Sequence, residues 1–462
     1  MRQIFAIFIF LAAAFSAAAQ QPEFEALFRE RAKTCVGVKY ILEMEESRTE
    51  VRTGGLVARP DGTVLMPSSA IPYFSRPSNL KDFRVFFEGG DSDGYSADFL
   101  GFDAAWRVYF LRIKNGLPKG VKAVSEFKNS KLGLGDWAWG VEIADSLDYA
   151  PCVRRSYVML ADVTEKNEAV FANPIAGKGL GVFDADGDFA GWAQDSALDF
   201  YTMVFSNNQS IPVRLRDDPL SRTVVPADSL PAILARIPSK PEGDKSGWIG
   251  ISDIRPVKRE VAKFMGIEKI GAVVVGRVFD DSPAKKAGVA EGDIIVEFDG
   301  KPLPRLRSDD YTLSAFIFKN KQLKPDTQHK MKVMRGDKTL ELQFTTGTFP
   351  RELRESQYKY FKRLGFSVRE FVFDDAISRK MRTSSSQSPV VQFVKRNSPA
   401  ASAQPNGLSP SVIIREINSQ PVKTYEQAVE TLSKIDADKG VSDLVLLVED
   451  YKETKLLRVK LD

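Results

Sequence analysis

Three short stretches of the C-terminal half occur twice, in the same order. Gly247-Trp248-Ile249-Gly250-Ile251 recurs as Arg363-Leu364-Gly365-Phe366-Ser367. Phe279-Asp280-Asp281-Ser282-Pro283-Ala284 recurs as Lys395-Arg396-Asn397-Ser398-Pro399-Ala400. Gly292-Asp293-Ile294-Ile295 through Pro302 recurs as Ser411-Val412-Ile413-Ile414 through Pro421. The offset is about 115 to 119 residues each time, which means two copies of one folding unit. Each copy runs loop, strands, short helix, strand, turn and a later helix (near Tyr311–Phe318 and Tyr425–Ile435). The second copy departs from the first where Pro410-Ser411 replaces Gly-Asp and where Ala403-Gln404-Pro405-Asn406-Gly407 takes a longer path. It is expected to be partly degenerate. Two such units leave more than half of a 462-residue chain, so two to four domains are expected.

That remaining half reads as β structure from Cys35 to about Ser210. Val36 to Ile41 is a strand. Thr53 to Ile71 is a hairpin turning at Asp61-Gly62, because an Asp-Gly pair supplies the positive φ that a tight turn needs. Asn173 to Trp192 (N-P-I-A-G-K-G-L-G-V-F-D-A-D-G-D-F-A-G-W) is a small-residue loop feeding a second Asp-Gly hairpin at Asp186-Gly187. Ile237 to Ser246, rich in Pro, Gly and charge, marks a linker.

These segments resemble the HtrA family of trypsin-like serine proteases. Thr53–Ile71 resembles the family's first hairpin, Ala97–Lys114 its aspartate segment, Leu134–Val141 its L-G-D segment, and Asn173–Trp192 its nucleophile loop. Val225-Pro226-Ala227 resembles the exit of the second barrel. The two repeats resemble the family's PDZ domains, with S-P-A-x-x-A-G-x-x-x-G-D-x-I in the first copy. The implied fold is mainly β: two trypsin-like antiparallel β-barrels followed by two PDZ-like α/β modules. The implied boundaries are 1–20 leader, 21–33 N-terminal segment, 34–237 protease-like domain, 238–246 linker, 247–348 first PDZ-like domain and 355–462 second.

At the three positions where the resemblance places the catalytic triad stand Ser69, Arg107 and Lys178, in place of histidine, aspartate and serine. Ala176 replaces the glycine that donates one oxyanion hydrogen bond. Gly179 is retained. Leu180 and Gly181 stand where the family has glycine and proline. Independently of any family, a Ser-His-Asp mechanism needs an imidazole as base. The chain has one histidine, His329, far beyond this region and read as a surface strand residue. Losing base or nucleophile costs many powers of ten in rate. A swapped dyad, with Lys178 as base for Ser69, is the sharper alternative. It would need a lowered lysine pKa, which repulsion from Arg107 favours, but it puts the nucleophile in the place of the base. No catalytic residue is therefore assigned.

The repeats keep a binding logic. An extended peptide can add as a strand while loop amides hold its terminal carboxylate. The candidate peptide-binding residues are Trp248, Ile249, Gly250 and Ile251 in the first copy, and Leu364, Gly365, Phe366 and Ser367 in the second. Leu313, Phe316 and Ile317 are candidate pocket walls or plain core.

Other signals are bounded by chemistry. Residues 1–20 read as a cleaved secretory leader, with Arg2, an apolar run Ile4–Phe15 and Ala17-Ala18-Ala19. An uncleaved anchor is the alternative. Export and a periplasmic location follow, with no membrane span after cleavage. Cys35 and Cys152 are open to a disulfide or to two free thiols. Two cysteines and one histidine exclude the usual four-ligand zinc sites. Asp184-Ala185-Asp186-Gly187-Asp188 places its glycine too early for an EF-hand loop, so no metal and no cofactor is expected. A net charge of +4 over this length argues for no nucleic-acid partner. Phe24 and Phe28, four apart on one helical face, are open to a trimer contact or to packing on the chain's own barrel. The expected function is an exported, non-catalytic HtrA-like protein that binds extended or unfolded polypeptides or C-termini, as chaperone, adaptor or regulator of an active protease. The alternatives are a serine endopeptidase with a non-standard site and an envelope scaffold.

Overall fold

The computed structural model describes residues 23–461 apart from 73–74, 145, 147, 163, 195–200, 207–208, 215–219, 380, 382–387 and 452. The leader-like stretch 1–20 lies outside the described residues. Among the described residues no helix is long and apolar enough to cross a membrane.

Two closed six-stranded barrels come first. The strands of the first are Cys35–Glu43, Arg48–Val57, Thr63–Pro67, Leu80–Phe86, Tyr95–Asp103 and Val108–Ile113. Side chains alternate across a strand, so Val36, Val38 and Tyr40 point together into a core with Val64, Met66 and Leu111. The expected hairpin forms: Gly62 has φ of 84°, and the Asp61 carboxylate accepts the Thr63 N–H at 3.0 Å. The second barrel uses Trp137–Ala144, Ala150–Leu160, Ala169–Phe171, Gly181–Asp184, Phe189–Gln194 and Thr223–Pro226. Its Asp-Gly turn is closed by Asp184, whose Oδ1 accepts the amides of Asp186 and Asp188 at 3.0 and 2.9 Å. The aspartates therefore serve a turn.

One apolar core spans the seam, joining Leu56, Leu65 and Phe110 of the first barrel to Leu180, Phe183 and Trp192 of the second. The helix 23–32 lies on it. Phe24 and Phe28 meet Trp139 edge-on at 5.6 and 5.8 Å, and Trp139 stacks on Phe183 at 4.8 Å. The two rings offered to a trimer contact thus serve the chain's own second barrel, where burial of so much aromatic surface holds the helix in place.

Two PDZ-like modules follow. The first is built on a sheet containing Arg255–Pro256, Val273–Val274, Ile294–Phe298, Gln328–Arg335 and Lys338–Thr345, with the helix Asp309–Gln322. The second places Tyr358–Phe361, Phe366–Arg369, Val390–Val394, Ile413–Ile417, Asp443–Asp450 and Glu453–Lys460 side by side in that order, with the helix Tyr425–Ala437. The repeat is carried down to backbone detail. Gly250 and Gly365 have φ of 86° and 78°, and a Cβ on either would sit 2.0 or 2.2 Å from Ser282 or Ser398. Only glycine fits both demands. The departure at Ser411 is not a loss of the turn. Ser411 takes φ of 69° where Gly292 has 87°, and its amide reaches Val391 O as that of Gly292 reaches Val275 O. The second copy is substituted, not degenerate, in fold.

Trp139 is 2% exposed and holds the N-terminal helix. Trp139→Ala is expected to cost about 3–5 kcal/mol. Urea denaturation should show that loss, and limited proteolysis should show earlier cutting within 23–32.

Candidate functional site

Ser69 sits in the 3-10 turn Ser68–Ala70 that follows the strand Thr63–Pro67. Arg107, with φ of 59°, closes the turn before Val108–Ile113. That turn is stapled from both sides. Asp103 Oδ1 accepts the Trp106 N–H at 2.7 Å, and Gln194 of the second barrel donates to Trp106 O at 2.5 Å. Ser69 and Arg107 line one cleft, together with Tyr109. Lys178 is not among the residues lining it.

The loop carrying Lys178 is closed against the first barrel. Ala176–Gly177 pairs with Leu220–Ser221. Gly179 has φ of 82° and donates to Ala193 O at 2.7 Å, while Leu180 donates to Gly177 O at 3.0 Å. A Cβ on Gly179 would lie 2.6 Å from Pro67 and 2.9 Å from Gly54 O. The Leu180 side chain and Lys178 O fill the space beside Gly54, each about 3 Å from a Cβ built there. Behind the loop, Gly181 N–H donates to Cys35 Sγ at 3.2 Å. Cys35 is buried, and that burial pushes its thiol up to about 11. Both cysteines are free thiols.

The single histidine is remote from this architecture. His329 lies on the strand Gln328–Arg335 of the first module. Its Nδ1 is 3.0 Å from Asp299 Oδ2 and its Nε2 is 2.8 Å from Thr327 Oγ1. It packs beside Phe298 and Phe344. His329 is thus the expected strand residue, half-buried, with its ring held by Asp299 and Thr327.

The cleft, about 1240 Å³, runs from Ser69 and Arg107 to Ile249, Gly250 and Ile251 of the first module. The barrels and that module are held together by an aromatic contact. Trp106 meets Phe318 edge-on at 5.0 Å, and the Lys166 ammonium lies 5.6 and 5.2 Å from the two rings. Burial pushes that ammonium below the usual lysine range. Arg236 on the connecting segment donates to Asp103 at 2.6 Å. Neither Trp106 nor Lys166 was singled out in the sequence. A lone tryptophan beside the aspartate segment carries no signal of a partner more than two hundred residues away.

Within the first module, Ile251–Ser252 pairs with Arg277–Val278. Among the described residues the amides of Ile249 and Gly250 have no backbone partner. Ile317 is 39% exposed and lines the cleft, whereas Phe316 is core. Leu313 packs against that core. Trp248 faces Phe279 and Phe373 at 5.9 and 6.1 Å, and so sits at the contact between the two modules. In the second module, Leu364 and Phe366 are fully buried, and Ser367 donates to Glu45 of the first barrel at 3.0 Å.

The PDZ domain family model matches residues 247–346. The chain is 25% identical over 374 residues to the probable periplasmic serine endoprotease DegP-like of Pseudomonas fulva, covering 77% of this chain and 70% of that protein. It is 22% identical over 433 residues to the protein of the same name in Chlamydia pneumoniae, covering 90% and 78%. The HtrA-type protease AlgW with decapeptide aligns over 71% of this chain and 98% of its own at 14% identity, with a TM-score of 0.48. The chain is thus similar along most of its length to DegP-like serine endoproteases, and residues 247–346 match the PDZ domain family.

With Cys35 desolvated and Cys152 partly exposed, a thiol reagent at pH 8 should label one cysteine per native chain and two after denaturation. Mass spectrometry should place the native label on Cys152, because the thiolate is the reactive form.

Proposed function

We propose that this chain is an exported, periplasmic, non-catalytic relative of the DegP-like proteases that binds extended polypeptide segments or C-termini. The observation that carries this reading is the place of its one histidine. His329 is held by Asp299 in the first module, so the barrels have no imidazole to activate a hydroxyl. Ser69 and Arg107 stand at the triad positions beside the cleft. Lys178 stands on a loop pressed against Gly54 and Pro67.

In this reading a peptide adds along Ile251–Ser252 of the first module. The amides of Ile249 and Gly250 take its terminal carboxylate, Ile317 forms a wall, and the remaining peptide extends toward Arg107. Such a protein acts as chaperone, as adaptor or as regulator of an active protease, and no cofactor is needed. The domain limits follow the repeat: 34–237 for the barrels, 247–348 and 355–462 for the two modules. The second reading is a working endopeptidase, favoured by the names of the relatives.

Two measurements separate the readings. Labelled casein should show no turnover above that of Lys178→Ala and Ser69→Ala variants; cleavage abolished by either substitution would establish a protease. A labelled hydrophobic decapeptide with a free C-terminus should bind. Its C-terminal amide, or the variant Ile317→Asp, should bind at least tenfold more weakly, about 1.4 kcal/mol.

A further inference from the structure

The two copies differ at the edge where a ligand strand would add. In the first module Ile251–Ser252 and the helix Asp309–Gln322 line the same cleft. In the second, Phe366–Arg369 is paired on both sides. Val390–Val394 lies on one edge, as in the first copy, and Tyr358–Phe361 lies antiparallel on the other, with Phe361 opposite Phe366 and Tyr358 opposite Arg369. An added antiparallel strand beside the loop is the geometry of β-augmentation. Here the strand comes from the same chain.

The loop amides tell the same story. Ile249 and Gly250 of the first copy correspond to Leu364 and Gly365 of the second. Gly365 N–H donates to Phe361 O at 2.8 Å. Leu364 N–H donates to Asp436 Oδ1 at 3.1 Å, and Arg363 N–H donates to the same oxygen at 2.9 Å. A carboxylate oxygen held by two consecutive loop amides is what a bound C-terminus would present. Asp436 lies in the last turn of the helix Tyr425–Ala437, where the helix dipole opposes an acidic side chain, so the amide bonds are what favour it there. Twelve residues after the N-cap is Asp436 in the second helix and Asn320 in the first. Asn320 is neutral, and its Oδ1 has no hydrogen-bond partner among the described residues.

The internal strand also docks the module on the first barrel. Asn79 donates to Tyr358 Oη at 2.9 Å, Arg76 lies 4.4 Å over the Tyr358 ring, and Tyr360 donates to Glu46. Arg76 further donates to Ser356 O and Oγ at 2.7 Å.

We propose that the second module holds the chain's own Tyr358–Phe361 in its peptide groove, with Asp436 in the place of a terminal carboxylate. The module is then an internal clamp between connector and first barrel, and it takes no second ligand. A segment tethered by the four-residue turn 362–365 competes at an effective concentration of about millimolar or more, so a free peptide of micromolar affinity does not displace it. This inference rests on the peptide-binding reading only for the comparison with the first copy.

Amide hydrogen exchange on the intact protein tests it without a ligand. The amides of Leu364 and Gly365 should exchange about 100-fold or more slowly than those of Ile249 and Gly250, and Asp436→Ala should speed Leu364 while leaving Ile249 unchanged. Equal, unprotected rates at all four amides in the wild type would overturn the proposal. Titration with the free-carboxylate decapeptide should reach one peptide per chain. Two per chain would overturn the proposal as well. If no peptide binds, the peptide-binding reading falls, and the exchange pattern alone decides the clamp.

Discussion

The contact on which the structure turns is the one between the Ala176–Leu180 loop and the first barrel at Gly54 and Pro67. The missing side chain at Gly54 lets Leu180 and the Lys178 carbonyl approach to about 3 Å of where a Cβ would stand. The positive φ at Gly179 turns the chain back without a side chain to collide with Pro67. Leu180 enters the core shared by both barrels. The loop and the first barrel thereby meet in a well-packed seam. Close packing of this sort is rigid, because a gap or an extra methylene at such a seam is felt directly.

From that seam the remaining parts are positioned in sequence. The Asp103–Arg107 turn is fixed by its own carboxylate and by Gln194 across the barrels. It presents Trp106 to Phe318, which sets the helix of the first module beside Ser69 and Arg107. One cleft then runs from Ser69 to the Ile249–Ile251 loop. The barrel turn and the loop of the first module thereby share one surface. A change at Trp106 therefore reaches both the barrel turn and the groove wall, since they pack as one unit.

Two copies of one unit have reached opposite ends. In both, a glycine with positive φ lies over a serine that caps the next turn. What differs is what surrounds the loop. The first copy has Asn320 at the helix end and, among the described residues, loop amides without a backbone partner. The second has Asp436 at that end and a preceding strand that folds back on it. An added strand costs little when the chain already supplies it next door, because the loop to be closed is short. The outcome is one module that faces the cleft and one that faces the first barrel through Glu45, Glu46 and Arg76.

Much of this was written in local sequence, where single residues dictate backbone. The Asp61-Gly62 and Asp186-Gly187 turns, the alternating strands and the repeat depend on near neighbours or on residue type alone. That the barrels contain no histidine needed only a count. The tertiary structure decided what pairs across distance. It brought Phe24 and Phe28 onto Trp139 of the chain's own second barrel. It held His329 between Asp299 and Thr327, kept Cys35 and Cys152 apart as free thiols, and kept the turn at Ser411 without a glycine. It also joined Trp106 to Phe318 and paired Tyr358–Phe361 with Phe366–Arg369. The physical reason is common to all of these. Apolar surface and unpaired amides demand a partner, but the demand is satisfied by whichever group the closed fold brings within reach, and sequence spacing does not encode that choice.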